Sequence, residues 1–200
     1  MTQTNNGSTA ASAFRETFLE IFGRPSNPAN EGECLSARWL DTPLGAMLAI
    51  AGAEGLYLLE FADRPELENE ILRLRKRSGA VISPATSAVL EETSQELNDY
   101  FAGKSLRFSV PLVPQGTPFD LKVWALLQTI PPGATWSYLQ LASQLGQPTA
   151  TRAVGHANGR NSLAIVIPCH RLIRSDGSLC GYGGGLWRKR WLLEHERKVA

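Results

Sequence analysis

Residues 136–171 read WSYLQLASQLGQPTATRAVGHANGRNSLAIVIPCHR, and their order of signals decides the architecture of the carboxy-terminal half. Ser137 is a helix-capping residue in front of YLQLASQLG. Gly146-Gln147-Pro148 is a turn signal, and TATRAVGHANG predicts a further helix beyond it. Helix, tight turn, helix is the layout of a helix-turn-helix. The helix after the turn is unusual. Ala150, Ala153, Gly155, Ala157 and Gly159 make its surface very small, and Arg152 is its one long cation. A helix that reads bases in the major groove normally carries several Arg, Asn or Gln side chains. This one suits a close approach of backbone to a duplex, in the narrower groove, with a single arginine reaching in. The alternative is tight packing of a small-residue helix in the core. An apolar run, Leu163 to Ile167, then ends abruptly in Pro168-Cys169-His170-Arg171.

Working outward, FDLKVWALLQT (119–129) predicts an amphipathic helix ended by Pro131-Pro132-Gly133. Further upstream the pattern changes to short strands, CLSARWL, GAMLAIA and GLYLLEF, divided by Asp41-Thr42-Pro43 and Ala53-Glu54-Gly55. Three antiparallel strands joined by tight turns are the simplest arrangement. Pro65 opens a charged helix, ELENEILRLRKRSG, and Ser83-Pro84 opens another, ATSAVLEETSQELNDYF, stopped by Gly103. Residues 1–12 read as disordered. Ala13 to Gly23 repeats Phe14, Phe18, Ile21 and Phe22 on one side of a helix, and 24–33 reads as a linker. Downstream, a glycine-rich stretch from Gly181 to Gly185 precedes a basic final helix, LWRKRWLLEHERK. The fold class predicted is α+β: a tail and linker over 1–33, a small α/β unit over 34–110, and a mainly helical unit over 111–200.

The composition, 43% hydrophobic and 20% charged, is that of a globular protein with room for a core. A net charge of +1 hides an asymmetry: residues 1–120 hold 10 Lys/Arg against 16 Asp/Glu, and residues 121–200 hold 10 against 3. That polarity suggests an anionic partner for the carboxy-terminal part, the alternative being a solvated surface whose charges segregate. Cys34, Cys169 and Cys180 form no C-x-x-C pair, and His156, His170 and His195 show no H-x-x-x-H spacing, so neither metal nor cofactor is expected. The amino terminus lacks a signal-peptide layout and no apolar run approaches membrane-spanning length. A cytoplasmic location with free thiols, and no membrane partner, is the expectation.

A cysteine becomes a nucleophile when nearby positive charge or a helix amino terminus stabilises its thiolate. Taken alone, Cys169 reads first as a buried, inert thiol. The string IPCHR, with the small-residue helix before it and GYGGG after it, resembles the signature of the O6-alkylguanine-DNA alkyltransferases. The resemblance covers residues 34–198 and is strongest from Phe119 to Glu196. Tyr138 stands in SYLQLA, Arg152 in TRAVG, Asn161 nine residues later and Cys169 eight beyond that; Tyr182 and Glu196 follow Cys169 at thirteen and twenty-seven. The resemblance implies a ribonuclease-H-like amino-terminal domain and a helix-turn-helix in the carboxy-terminal one. It implies that Cys169 accepts an alkyl group from O6-alkylguanine, or O4-alkylthymine, in double-stranded DNA. His170 would take the thiol proton through a water and Glu196 would orient the imidazole. Asn161 would tie the helix-turn-helix to the cysteine segment. Tyr138 would donate a hydrogen bond to the departing purine, while Tyr182, Gly183, Gly184 and Leu172 would shape the pocket. Arg152 would fill the gap left by the rotated nucleotide, with Ala150, Ala153, Gln147 and Ser175 against the backbone. The resemblance also implies a monomer, and each molecule would act once, because a thioether does not hydrolyse.

This sequence departs from the family pattern at two pocket positions. Leu172 stands where valine or isoleucine is more usual, and Gly183 where some relatives have serine. The metal-binding residues of some animal members and the four-cysteine phosphotriester-repair domain of bifunctional members are absent. Residues 12–25 resemble the last helix of an AraC-type DNA-binding domain, as a remnant of a longer ancestor. Three competing readings carry their own discriminators. A module that only recognises alkylated guanine would lack the acceptor cysteine. A transcription regulator would need a second intact helix-turn-helix. A cysteine hydrolase would turn over through an acyl intermediate.

Overall fold

The computed structural model describes residues 34–200. The helix expected over 13–23 and the AraC-type resemblance lie outside the described residues. Strands β1 (Cys34–Leu40), β2 (Met47–Gly52) and β3 (Gly55–Phe61) form an antiparallel meander, as the alternation and turns predict. At the first turn Gly45 takes φ 110°, a conformation that favours glycine, and its N–H bonds the Thr42 carbonyl at 3.0 Å. Helix α1 (Leu67–Ser78) ends on Gly79 in the left-handed conformation.

The sheet has a fourth strand that the sequence reading missed. Strand β4 (Val81–Pro84) pairs in parallel with β1, giving the order β3-β2-β1-β4. Pro84 closes this edge strand, a position where a missing N–H costs no ladder bond, instead of opening a helix. Helix α2 (Ala88–Phe101) starts later, capped by Ser87, whose side chain accepts from the Leu90 N–H.

All residues of β2 are buried because both faces of the sheet are covered. Leu35, Leu48, Ile50 and Leu58 face Leu67, Ile71 and Leu74 of α1. On the other face Ala49, Leu59 and Phe61 join Leu90, Leu97 and Tyr100 of α2 in a core that continues into the carboxy-terminal half. There α3 (Pro118–Gln128) begins with a capping box between Thr117 and Asp120. Helix α4 (Tyr138–Gln144) begins with another, between Ser137 and Gln140, and α5 (Thr151–Gly159) follows after a short turn. The apolar run is no strand. Leu163 and Ala164 lie against Leu59 of β3, and the chain then coils tightly, with Ile165 at φ 71°. It ends in a single 3-10 turn, Cys169–Arg171, and β6 (Leu172–Ile173) pairs with β5 (Trp136–Ser137). Helix α6 (Leu186–Val199) completes the chain.

Candidate active site

The 3-10 turn places Cys169, His170 and Arg171 together, all buried. Asn161, just beyond α5, fixes the approach to that turn. Its Nδ2 donates to the Ile167 carbonyl at 2.9 Å and its Oδ1 accepts from the Leu163 N–H at 3.1 Å. The buried amide therefore ties the residue just beyond α5 to the segment that leads into Cys169.

Behind the cysteine lies a charged group with no exposure. His170 Nε2 is 2.7 Å from Glu196 Oε1, and Arg171 Nε donates to Glu196 Oε2 at 2.9 Å. Tyr100 Oη donates to the same carboxylate at 2.9 Å and the Gly133 N–H at 3.1 Å. Burial pushes the Glu196 carboxyl up, but His170 and Arg171 outweigh it and hold the group well below the usual carboxylate range. Burial keeps the His170 imidazole neutral, with its pKa lowered despite Glu196. An ionised Glu196 can only accept, so Nε2 carries the ring proton and donates it. The lone pair is then on Nδ1, which is buried and has no protein partner.

Cys169 is 6% exposed, yet it lines a cavity of about 380 Å³, within the range of small-molecule sites. Burial pushes its thiol up, while Asn161, Lys189 and Arg64 pull the other way. The sulfur is therefore a neutral thiol at rest, and not a thiolate stabilised by neighbouring charge. Tyr138, Tyr182, Gly183 and Gly184 line the same cavity. Burial raises the pKa of both tyrosines, so each hydroxyl stays protonated and can donate. Tyr182 Oη and Asn158 Oδ1 are buried without partners in this wall. Leu172 is not brought to the cavity: it is fully buried beside Trp136, and its carbonyl accepts from Lys189 Nζ at 2.5 Å.

The glycine stretch is anchored at its far end. Arg188 donates to the Gly184 carbonyl at 2.8 Å and to the Leu44 carbonyl at 2.8 Å, with its guanidinium over the Phe61 ring. A side chain at Gly184 would come within 2.7 Å of Phe61, so the loop lies directly on β3. Arg152 and Ala153 are exposed on α5, Ala150 is half-buried, and Gln147 and Ser175 are exposed in turns. Val154 and Ala157 form the helix's buried side. The small residues therefore serve both readings, packing inward and presenting a smooth surface outward.

Sequence reasoning missed Glu60, Arg64, Glu70, Asn158 and Arg160, all in the cavity wall. A carboxylate inside the apolar strand GLYLLEF was the available signal for the first two, since a buried Glu60 demands a cation. Among the described residues, no group of three or more His, Cys, Asp and Glu is arranged to hold a metal. No helix among them is long and apolar enough to cross a membrane.

Residues 118–198 match the family model described as the DNA-binding domain of 6-O-methylguanine DNA methyltransferase. A methylated-DNA–protein-cysteine methyltransferase of Shigella flexneri is 43% identical over 159 residues, covering 78% of this chain and 91% of that protein. The crystal structure of Mycobacterium tuberculosis O6-methylguanine methyltransferase superposes with a TM-score of 0.70 at 39% identity, over 83% of this chain and 94% of that one. The structure of the same organism's OGT in complex with DNA gives a TM-score of 0.70 at 40% identity, over 82% and 94%. Identity at this level over nearly the whole of those proteins establishes that the chain belongs to the methylated-DNA–protein-cysteine methyltransferase family.

Proposed function

We propose that this protein repairs DNA by taking the alkyl group of O6-alkylguanine, or O4-alkylthymine, irreversibly onto Cys169. The observation that carries the reading is a buried cysteine at a ligand-sized cavity, followed in the chain by a histidine that is oriented by an ionised carboxylate. Cys169 Sγ attacks the carbon attached to the guanine oxygen. The S–C bond forms as the C–O bond breaks, and the electron pair stays on the purine. The thiol proton passes through a water to His170 Nδ1, the ring nitrogen left free by the bond to Glu196. Glu196 balances the imidazolium, and the Tyr138 hydroxyl donates to the leaving purine, which recovers a proton as neutral guanine. Keeping the thiol neutral until substrate arrives restricts reaction with other electrophiles.

In the same reading α4 and α5 act as a helix-turn-helix that sets small residues against the minor groove. Arg152 holds the space of the extruded nucleotide, while Gln147, Ala150, Ala153 and Ser175 meet the backbone. Residues 34–110 serve as a ribonuclease-H-like support domain and 111–200 as the DNA-binding and transfer domain of a cytoplasmic monomer. The matching relative in complex with DNA and the basic carboxy-terminal half support this assignment. With an oligonucleotide labelled in a single O6-methyl group, transfer should stop at one methyl per protein molecule and be abolished in Cys169→Ser. Continued turnover, or full transfer by Cys169→Ser, would refute it.

A further inference from the structure

The cavity wall contains an arginine that the mechanism above does not use. Arg64 follows β3 and is almost fully buried, and its guanidinium is held from several sides. It bonds the carboxylate of the buried Glu60, and its NH2 lies 2.9 Å from Glu70 Oε1. It also donates to the Gly159 carbonyl at 2.8 Å and the Asn161 carbonyl at 3.2 Å, at the end of α5. Its remaining donor, Nε, is buried and makes no hydrogen bond.

The face of this guanidinium lies where a side chain at position 183 would be. A Cβ on Gly183 would sit 2.7 Å from Arg64 Cζ, 2.8 Å from Nε and 3.1 Å from NH1. The backbone at Gly183 is outside the left-handed region, so its conformation alone does not demand glycine. An ordinary arginine tip would swing aside. This one is held by two buried carboxylates and two carbonyls, with the exposed Glu66 carboxylate 3.8 Å from Nε, and leaving them would strand buried charges.

We infer that Arg64 determines the width of the alkyl-acceptor cavity: it fills the volume of the side chain missing at Gly183 and fixes that wall to the Asn161 turn. This inference rests on the proposed function, and it assigns to the amino-terminal region a specificity role beyond support. Arg64 contacts the wall and not the reacting atoms, so its role is positional. Where position 183 carries serine, an arginine so clamped has no room.

The test compares single-turnover rates on two oligonucleotides, one carrying O6-benzylguanine and one O6-methylguanine. Their ratio cancels losses in DNA affinity and in the fraction folded. Gly183→Ser should lower the benzyl-to-methyl ratio at least tenfold. Adding Arg64→Lys, which keeps the charge opposite Glu60 and Glu70 but removes the planar tip, should return the ratio to within threefold of the unsubstituted protein. Gly183→Ala, a smaller intrusion, should shift the ratio the same way and serves if the serine variant fails to fold. A ratio unmoved by substitution at 183, or a loss that Arg64→Lys does not relieve, overturns the inference. If the unsubstituted protein places no alkyl group on Cys169, the proposed function itself has failed.

Discussion

Glu196 collects hydrogen bonds from His170, Arg171, Tyr100 and a backbone N–H, with no solvent contact. A carboxylate so enclosed survives only because charge-assisted bonds satisfy it. Replacing it by glutamine keeps the shape and removes the charge, leaving Arg171 uncompensated. The amide can also turn its NH2 toward His170 and reverse the tautomer, taking the lone pair away from Nδ1. Glu196→Gln should therefore slow methyl transfer by about a hundredfold or more, measured in single-turnover quench assays. It should also destabilise the fold by roughly 3 kcal/mol at pH 7. Because the folded carboxyl titrates below its unfolded value, about 4.3, its contribution is complete above that pH. The contribution fades as pH falls from that value toward the folded one, below which it is gone. The gap between the two proteins in urea melts should thus be full at pH 7 and narrower at pH 3.5, and a gap that widens toward acid would contradict this account.

At the scale of elements, helix α5 has two duties. Val154 and Ala157 pack inward, and the Ala157 carbonyl accepts from Trp124 Nε1 at 2.9 Å, so the helix is rigidly seated. Its outer side offers Arg152 on a surface of alanine and glycine. If that arginine holds the gap in an opened duplex, it matters only when a nucleotide must leave the stack, a step costing a few kcal/mol. Arg152→Ala should slow repair of duplex DNA roughly tenfold to a hundredfold, yet change the reaction with free O6-benzylguanine less than threefold. Equal losses on both substrates would remove the proposed role. In this half, α4 was legible from its cap Ser137 and α3 from its periodicity and the Pro131-Pro132-Gly133 stop. Helices α5 and α6 have no side-chain cap and were read from the turn and glycine signals in front of them. Strand β4 was not legible, because four residues ending in proline carry no periodicity and gain their partner only when β1 lies alongside. The coil at Ile165 was hidden too. Its apolar residues are buried by turns against β3, and hydrophobicity alone cannot distinguish that from a strand.

Across the whole molecule, one apolar core joins the sheet to the carboxy-terminal helices, and the cavity sits where β3, the α5 terminus and the glycine stretch converge. Cys169, His170, Glu196 and Asn161 were singled out only through the family resemblance, because Glu196 and Asn161 carry no local signal of their own. The polar wall was not, since Arg64 and Asn161 stand far apart in sequence and meet only through tertiary packing. The same long-range closure explains how a thiol can be nearly dry and still line a cavity. The central claim is that this sulfur becomes a thioether, once per molecule. Mass spectrometry of the protein after incubation with an oligonucleotide bearing one O6-methylguanine tests it directly. We predict a gain of a single methyl group, confined to the peptide containing Cys169. An unchanged mass, or a methyl group on a peptide of Cys34 or Cys180, would contradict the account.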